Sequence, residues 1–336
     1  MSPSGLTCVA VEGIGEVIAG DDLAALLAAA VELRDGDVLV LTSKVLSKAE
    51  GRVRTGKRDE ALAGETDRAV ATRGRTSIVR THHGLVMAAA GIDASNTEAD
   101  TVVLLPTDPD GSARRLRESL ARSPGCNVAV LVTDTAGRAW RNGQTDIAIG
   151  AAGLQVLHDY AGRTDPYGNE LSVTAPAVAD ELAAAADLVK GKLERRPAAV
   201  VRGLDALVLP AGEHGPGAAA LVREETQDMF GLGARDAVLG ALRAEDPRGF
   251  GAPCPALELV EALTALAGGS VTLVVRSDEG AGRDTEVTAT LGGDDRARGR
   301  AEVVLTTAAF AMGWRADPAD DRAGNPAILR LRPVTP

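Results

Sequence analysis

Residues 127–150 read NVAVLVTDTAGRAWRNGQTDIAIG. The apolar, partly β-branched run Val128 to Val132 has the pattern of a buried strand. It ends in Thr133-Asp134-Thr135, and Gly137, Arg138, Trp140, Arg141, Asn142, Gly143, Gln144 and Asp146 follow closely. The chain leaves the core at a strand end, so its side chains converge there and ligand chemistry collects there. Asp134 and Thr135 offer hard oxygen atoms suited to Mg²⁺ or Mn²⁺. Arg138 and Arg141 are three apart. If a helix starts here they share a face, and two guanidinium forks suit phosphate or carboxylate. A polar turn, with Asp134 as a helix cap and both arginines solvated, explains the same residues equally well.

Two more apolar runs end the same way. Val38 to Leu41 leads into TSKVLSKAEGR at 42–52. There Ser43 can donate a hydroxyl to phosphate or base, and Lys44 or Lys48 can supply a point charge. The plainer reading is a Ser-capped helix start. The crowding of Ser, Lys, Ser and Lys just past a buried strand weakens it. The run at 84–92 ends in Asp93-Ala94-Ser95-Asn96, where an Asx turn is the plainer reading. His82 and His83 are adjacent, so they diverge in a helix or a strand and make a poor metal pair.

Further along, 7–11 reads as a first strand, 13–17 as a loop and 23–31 as a helix behind two acids. Residues 57–80 read as a surface helix followed by a strand, 101–106 as a strand, and 177–189 as an Ala-rich helix. Lys190 and Lys192 at the end of that helix are either cations complementing its dipole or phosphate contacts. Residues 198–203 read as another strand. After about residue 245 the composition shifts. Residues 246–253 look like a linker, 256–267 like a helix and 271–276 like a strand. The expectation is one domain at 1–245 and a small C-terminal α/β extension at 246–336, which carries no recognisable chemistry.

Composition bounds the function. Lys and Arg number 36 against 47 Asp and Glu, a formal charge of −11, which argues against nucleic-acid binding. Aromatics are 2%, so the core must be aliphatic. Cys8, Cys126 and Cys254 are scattered, without zinc or disulfide spacing. No leader pattern and no membrane-length apolar run is read, so a cytoplasmic protein is expected, with no membrane partner. There is no P-loop, no complete dinucleotide fingerprint, no nucleophile elbow and no kinase signature.

Together the stretches resemble one family, the coenzyme F-420:L-glutamate ligases, or F-420-0:γ-glutamyl ligases. The resemblance is carried by Gly13 to Glu16, GDDL at 20–23, GDVLVLTSKVLSKAEGR at 36–52, AAAGIDASN at 88–96, the stretch 133–150, DPYGNEL at 165–171 and VADELAAAADLVKGK at 178–192. It spans about residues 6–245. The resemblance implies a mixed α+β fold forming an intertwined homodimer. It implies GTP-dependent addition of L-glutamate to the phospholactyl deazaflavin precursor, followed by γ-linked glutamates. Metal ligands would be Asp93, Asp134 and Thr135, holding Mg²⁺ or Mn²⁺, with K⁺ as a further candidate ion. GTP contacts would be Ile14, Gly15, Glu16, Val17, Ser43, Lys48 and Asn96. Gly15 departs from the proline common in the family. One fused variety carries a flavin-binding domain after the ligase. Residues 246–336 are too few for it, and a second redox activity is not expected.

The expected chemistry passes through an acyl phosphate. GTP's γ-phosphoryl activates the substrate carboxylate, and the amine of glutamate attacks it. Asp134, Arg138 and Arg141 are the expected catalytic residues. Lys190 and Lys192 are the expected grips on substrate or phosphate. Two alternatives remain from the residues alone: another nucleotide-dependent carboxylate–amine ligase, and a non-catalytic nucleotide-binding dimer.

Overall fold

Val38, Leu39, Val40 and Leu41 are all fully buried, as are Val128 to Val132 and Ala198 to Val201. Continuous apolar strands of this kind must be covered on both faces. Strand period 2 then sorts them. Leu39, Leu41, Val130, Val132, Ala198 and Val200 pack into one core, while Val38, Val40, Ala129, Leu131, Ala199 and Val201 pack into another.

The computed structural model describes residues 5–94, 100–123, 125–171, 174–276, 286–319 and 327–334. In chain order the elements are β1 (Thr7–Val11), α1 (Leu23–Ala30), β2 (Val38–Thr42), α2 (Ser43–Ala49), β3 (Val53–Thr55), α3 (Arg58–Glu65), β4 (Thr66–Arg73), β5 (Thr76–Thr81), β6 (Val86–Ala88) and β7 (Thr101–Val103). Then come α4 (Pro109–Arg122), β8 (Ala129–Gly137), β9 (Gln144–Ala152), β10 (Arg163–Thr164), β11 (Glu170–Leu171), α5 (Val178–Lys190), β12 (Ala198–Arg202) and α6 (Ala234–Arg243). The last are α7 (Ala256–Ala267), β13 (Val271–Arg276), β14 (Glu286–Leu291), α8 (Asp295–Ala311), β15 (Trp314–Pro318) and β16 (Ala327–Pro333). The architecture is mixed α+β with several sheets.

Contacts divide the chain into two compact units: 1–68 with 78–222, and 69–77 with 223–336. This division falls ahead of the linker read at 246–253. In the first unit the main sheet runs β1-β12-β2-β8-β9, and β2 and β8 are parallel while every other neighbouring pair is antiparallel. Leu27 of α1 and Leu116 and Leu120 of α4 fill the core on one face. Ala179, Leu182, Ala183 and Ala186 of α5 fill the other. The small side chains of α5 let the helix lie close against the strands. Arg117, at 3% exposure, donates to the carbonyls of Val128, Leu209 and Pro210 at 2.8, 3.0 and 3.1 Å. It ties the chain that follows β12 to the base of β8.

The second unit has its own sheet, β13-β14-β16-β15, under α7 and α8. Leu259, Leu263, Leu305, Leu329, Leu331 and Trp314 fill its core. Among the described residues no helix is long and apolar enough to cross a membrane.

Candidate active site

The parallel pairing of β2 with β8 puts Thr42 beside Thr133. Ser43, which follows the end of β2, and Asp134, the next residue of β8, are therefore neighbours. The N-cap of α2 is Thr42, which makes no side-chain cap bond, and Ser43 is the first helical residue. The buried Ser43 hydroxyl donates to the Asp134 carboxylate at 3.1 Å. The helix-cap reading of Ser43 therefore fails. Lys44, next in line, sits 2.6 Å from Asp93. Asp93 arrives by another route, through a backbone pair with Val103. Just before it the chain makes a left-handed turn, with φ of 49° at Ala89 and 54° at Ala90. The run at 84–92 gives no hint of this turn.

Asp134 is half-buried, and its pKa is pushed up to about 7. Desolvation is the main cause, and the charges of Asp146 and Asp93 add to it. The Ser43 hydrogen bond and the Thr135 backbone oppose the rise. Burial thus disfavours the ionised form of this carboxyl, and the two neighbouring acids add to that.

The residues expected to contact GTP at 14–17 lie in the same unit. Gly15 and Glu16 are exposed, while Val17 is buried and Ile14 packs on the core. The Lys48 ammonium pairs with Glu16 and, as the main cause, lowers the Glu16 pKa. Arg195 and Lys44 add to that lowering. Arg196 pairs with Glu12 at 2.8 Å. The segment after α5 thus brings two arginines to the 12–17 loop. They escape sequence reasoning because only the pairing of β12 with β1 returns that segment beside the loop. Asn96 lies outside the described residues.

The stretch after Asp134 is no helix. β8 continues to Gly137 and pairs with β9 as a hairpin, Thr135 opposite Asp146 and Gly137 opposite Gln144. Arg138 and Arg141 therefore do not share a helical face. They stand exposed at the hairpin tip, where the Arg141 amide donates to the Arg138 carbonyl at 3.4 Å.

Thr133 and Thr135 share one face of β8 and Asp134 takes the other. Both hydroxyls donate to Asp146, at 2.8 and 2.9 Å. The Thr135 hydroxyl thus turns to Asp146, on the face of β8 opposite Asp134. Lys190 is 3% exposed and faces inward, 2.6 Å from Asp146 and 3.0 Å from Thr133. That position differs from the expected grip on substrate, because the Lys190 ammonium already answers a buried carboxylate. Lys192 is exposed, in the electrostatic reach of Asp187. Among the described residues no group of three His, Cys, Asp or Glu side chains is gathered to hold a metal alone. His82 and His83 each meet a backbone carbonyl, of Gly64 and Thr107, at 3.1 Å.

The model of one protein family, described as F420-0:Gamma-glutamyl ligase, matches this chain over residues 13–61 and 56–203. The chain belongs to this family. The match takes in the Asp93, Asp134 and Ser43 positions and the segment after α5. A protein from Archaeoglobus fulgidus named coenzyme F420:L-glutamate ligase is 42% identical over 217 residues, covering 58% of this chain and 86% of that protein. One of the same name from Methanopyrus kandleri is 40% identical over 235 residues, 63% of this chain and 92% of its own length. Another, from Natronomonas pharaonis, is 39% identical over 254 residues, 67% of this chain and 94% of its own.

Proposed function

We propose that this chain joins L-glutamate to coenzyme F-420-0, the phospholactyl deazaflavin precursor, using GTP, and adds further glutamates through γ-linkages. Membership of the γ-glutamyl ligase family supports the ligation. The observation that carries the chemistry is the meeting of Ser43, Asp134, Lys44 and Asp93, delivered by separate segments.

The donor set fits a divalent cation. Mg²⁺ is commonly held by one or two carboxylates, with substrate phosphates completing its shell. Asp93 and Asp134 supply such a pair, near enough that the charge of Asp93 adds to the raised Asp134 pKa. When bound, the metal would supply positive charge to phosphate oxygens in transfer. Lys48 and Lys44 hold the triphosphate beside the 14–17 loop. In the first step an oxygen of the substrate carboxylate bonds to the γ-phosphorus, and the bond to GDP breaks. In the second the glutamate amine attacks the acyl carbon and phosphate leaves, while the amine proton passes to solvent. Arg138 and Arg141 answer the charges of the incoming anions. A homodimer is part of this reading.

The test is mass spectrometry of the product after mixing the chain with GTP, Mn²⁺ or Mg²⁺, L-glutamate and the precursor. A mass gain of glutamate residues, with matching GDP release, is the expected result. Asp134→Asn abolishes it. Unchanged turnover by that variant at saturating metal ends the reading of Asp134.

A further inference from the structure

The first unit holds only three Phe, Trp or Tyr residues: Trp140, Tyr160 and Tyr167. None belongs to its cores, which are built from aliphatic side chains. An aromatic outside the core of so aromatic-poor a chain calls for another explanation. Tyr160 has intramolecular company, with the His158 ring at 4.6 Å and the Arg163 guanidinium 5.3 Å away. Tyr167 sits in a turn organised by the Asp165 carboxylate. Trp140 is set apart by its backbone. It is 82% exposed and carries a φ of +59°. A left-handed backbone is costly for a bulky residue, and such outliers cluster where a ligand is met.

Its location points to a particular ligand. The tip follows directly from Asp134 along β8, and Asp134 to Gly137 spans three residues of strand, roughly 10 Å. Arg138 and Arg141 flank Trp140, and both are exposed. The proposed acceptor has a matching layout, with a reacting carboxylate at one end, a phosphodiester between and a flat deazaflavin ring at the other. We infer that Trp140 determines acceptor specificity by stacking on the deazaflavin ring, while Arg138 and Arg141 meet the phosphodiester charge. This rests on the function proposed above. A protein-docking tip is the competing occupant, but the residues around Trp140 are Arg, Asn, Gln, Gly and one Ala. That surface suits a charged small molecule better than an apolar partner face.

The chain's only other tryptophan, Trp314, is 2% exposed in the second unit, so a quench at an exposed indole is readable. The experiment titrates the full-length protein with coenzyme F-420-0 and follows tryptophan fluorescence, with Trp140→Phe correcting for absorption by the deazaflavin. Steady-state kinetics on Trp140→Ala and Trp140→Phe accompany it. A quench in the wild type that disappears in Trp140→Phe is expected. Trp140→Ala raises KM for the precursor about 5- to 150-fold, the range for losing one stacked heterocycle. KM for GTP stays unmoved, and Trp140→Phe restores most of the loss. An unchanged precursor KM in Trp140→Ala overturns the inference. So does loss of self-association by that variant in gel filtration, which makes the tip a protein contact. Failure of the wild type to ligate glutamate would instead remove the functional reading itself.

Discussion

Asp134, half-buried on one face of β8, and Lys190, buried from α5 against the other, differ in kind. The folded pKa of Asp134 lies above its unfolded value, at about 7 against 3.8. The unfolded chain therefore ionises first. Metal-free protein should lose stability as pH rises from about 4 through about 7 and hold level above that. Asp134→Asn removes this dependence and should raise the melting temperature of metal-free protein at pH 8. The gain is bounded by about 1.4 kcal/mol per pK unit, and Asn still accepts from Ser43. Calorimetry across pH, with chelator present, checks it. Lys190 has the opposite expectation. Lys190→Met leaves the Asp146 carboxylate buried without its cation and should cost about 3–5 kcal/mol. Replacing both, as Asp146→Asn with Lys190→Met, should recover much of that in denaturant melts. A single and a double variant of equal stability would remove the pair's structural importance.

At the scale of elements, the left-handed turn before Asp93 is the feature on which the site geometry hangs. Ala89 and Ala90 adopt a conformation that costs an L-residue energy, and β-branched residues tolerate it least. Ala89→Val should destabilise the protein by more than about 1 kcal/mol, while Ala89→Gly should be neutral or stabilising by up to about 1 kcal/mol. Urea melts decide this; an equally tolerated Val would mean the turn is not held. The β8–β9 hairpin is the other decisive element. A β-bulge between Val132 and Thr133 adjusts its register where the polar residues begin. Bulges near sites re-aim side chains. Here the strand outside the bulge carries Asp134 to one face and the two threonines to the other.

At the scale of the whole molecule, two units with separate cores should not melt as one. Trp314 packs in the second unit's core and donates to the Cys254 carbonyl at 2.9 Å. Its emission therefore reports that unit. Leu305→Ala should lower the transition seen by Trp314 by about 2–5 kcal/mol. The transition carried by the first unit's cores should stay in place. A single transition that shifts as a whole would show the units to be one cooperative block.

The buried strands could be read in advance because a strand covered on both faces must be apolar throughout, and such runs stand out in any chain. The acids and lysines at their ends were legible for the same reason: they interrupt those runs. α7 and β13 were also read at their observed limits, 256–267 and 271–276. Which face each polar side chain takes was not legible. Lys190 and Lys192 look alike in the sequence, yet one is buried on Asp146 and the other meets solvent. Arg138 and Arg141 fit a helix by spacing, but β9 offers hydrogen bonds that extend β8 through the same residues. Local pattern specifies what a segment can bury. Only long-range pairing decides which distant segment covers it, so Ser43 met Asp134, and Arg196 met Glu12, through partners that no local window contains.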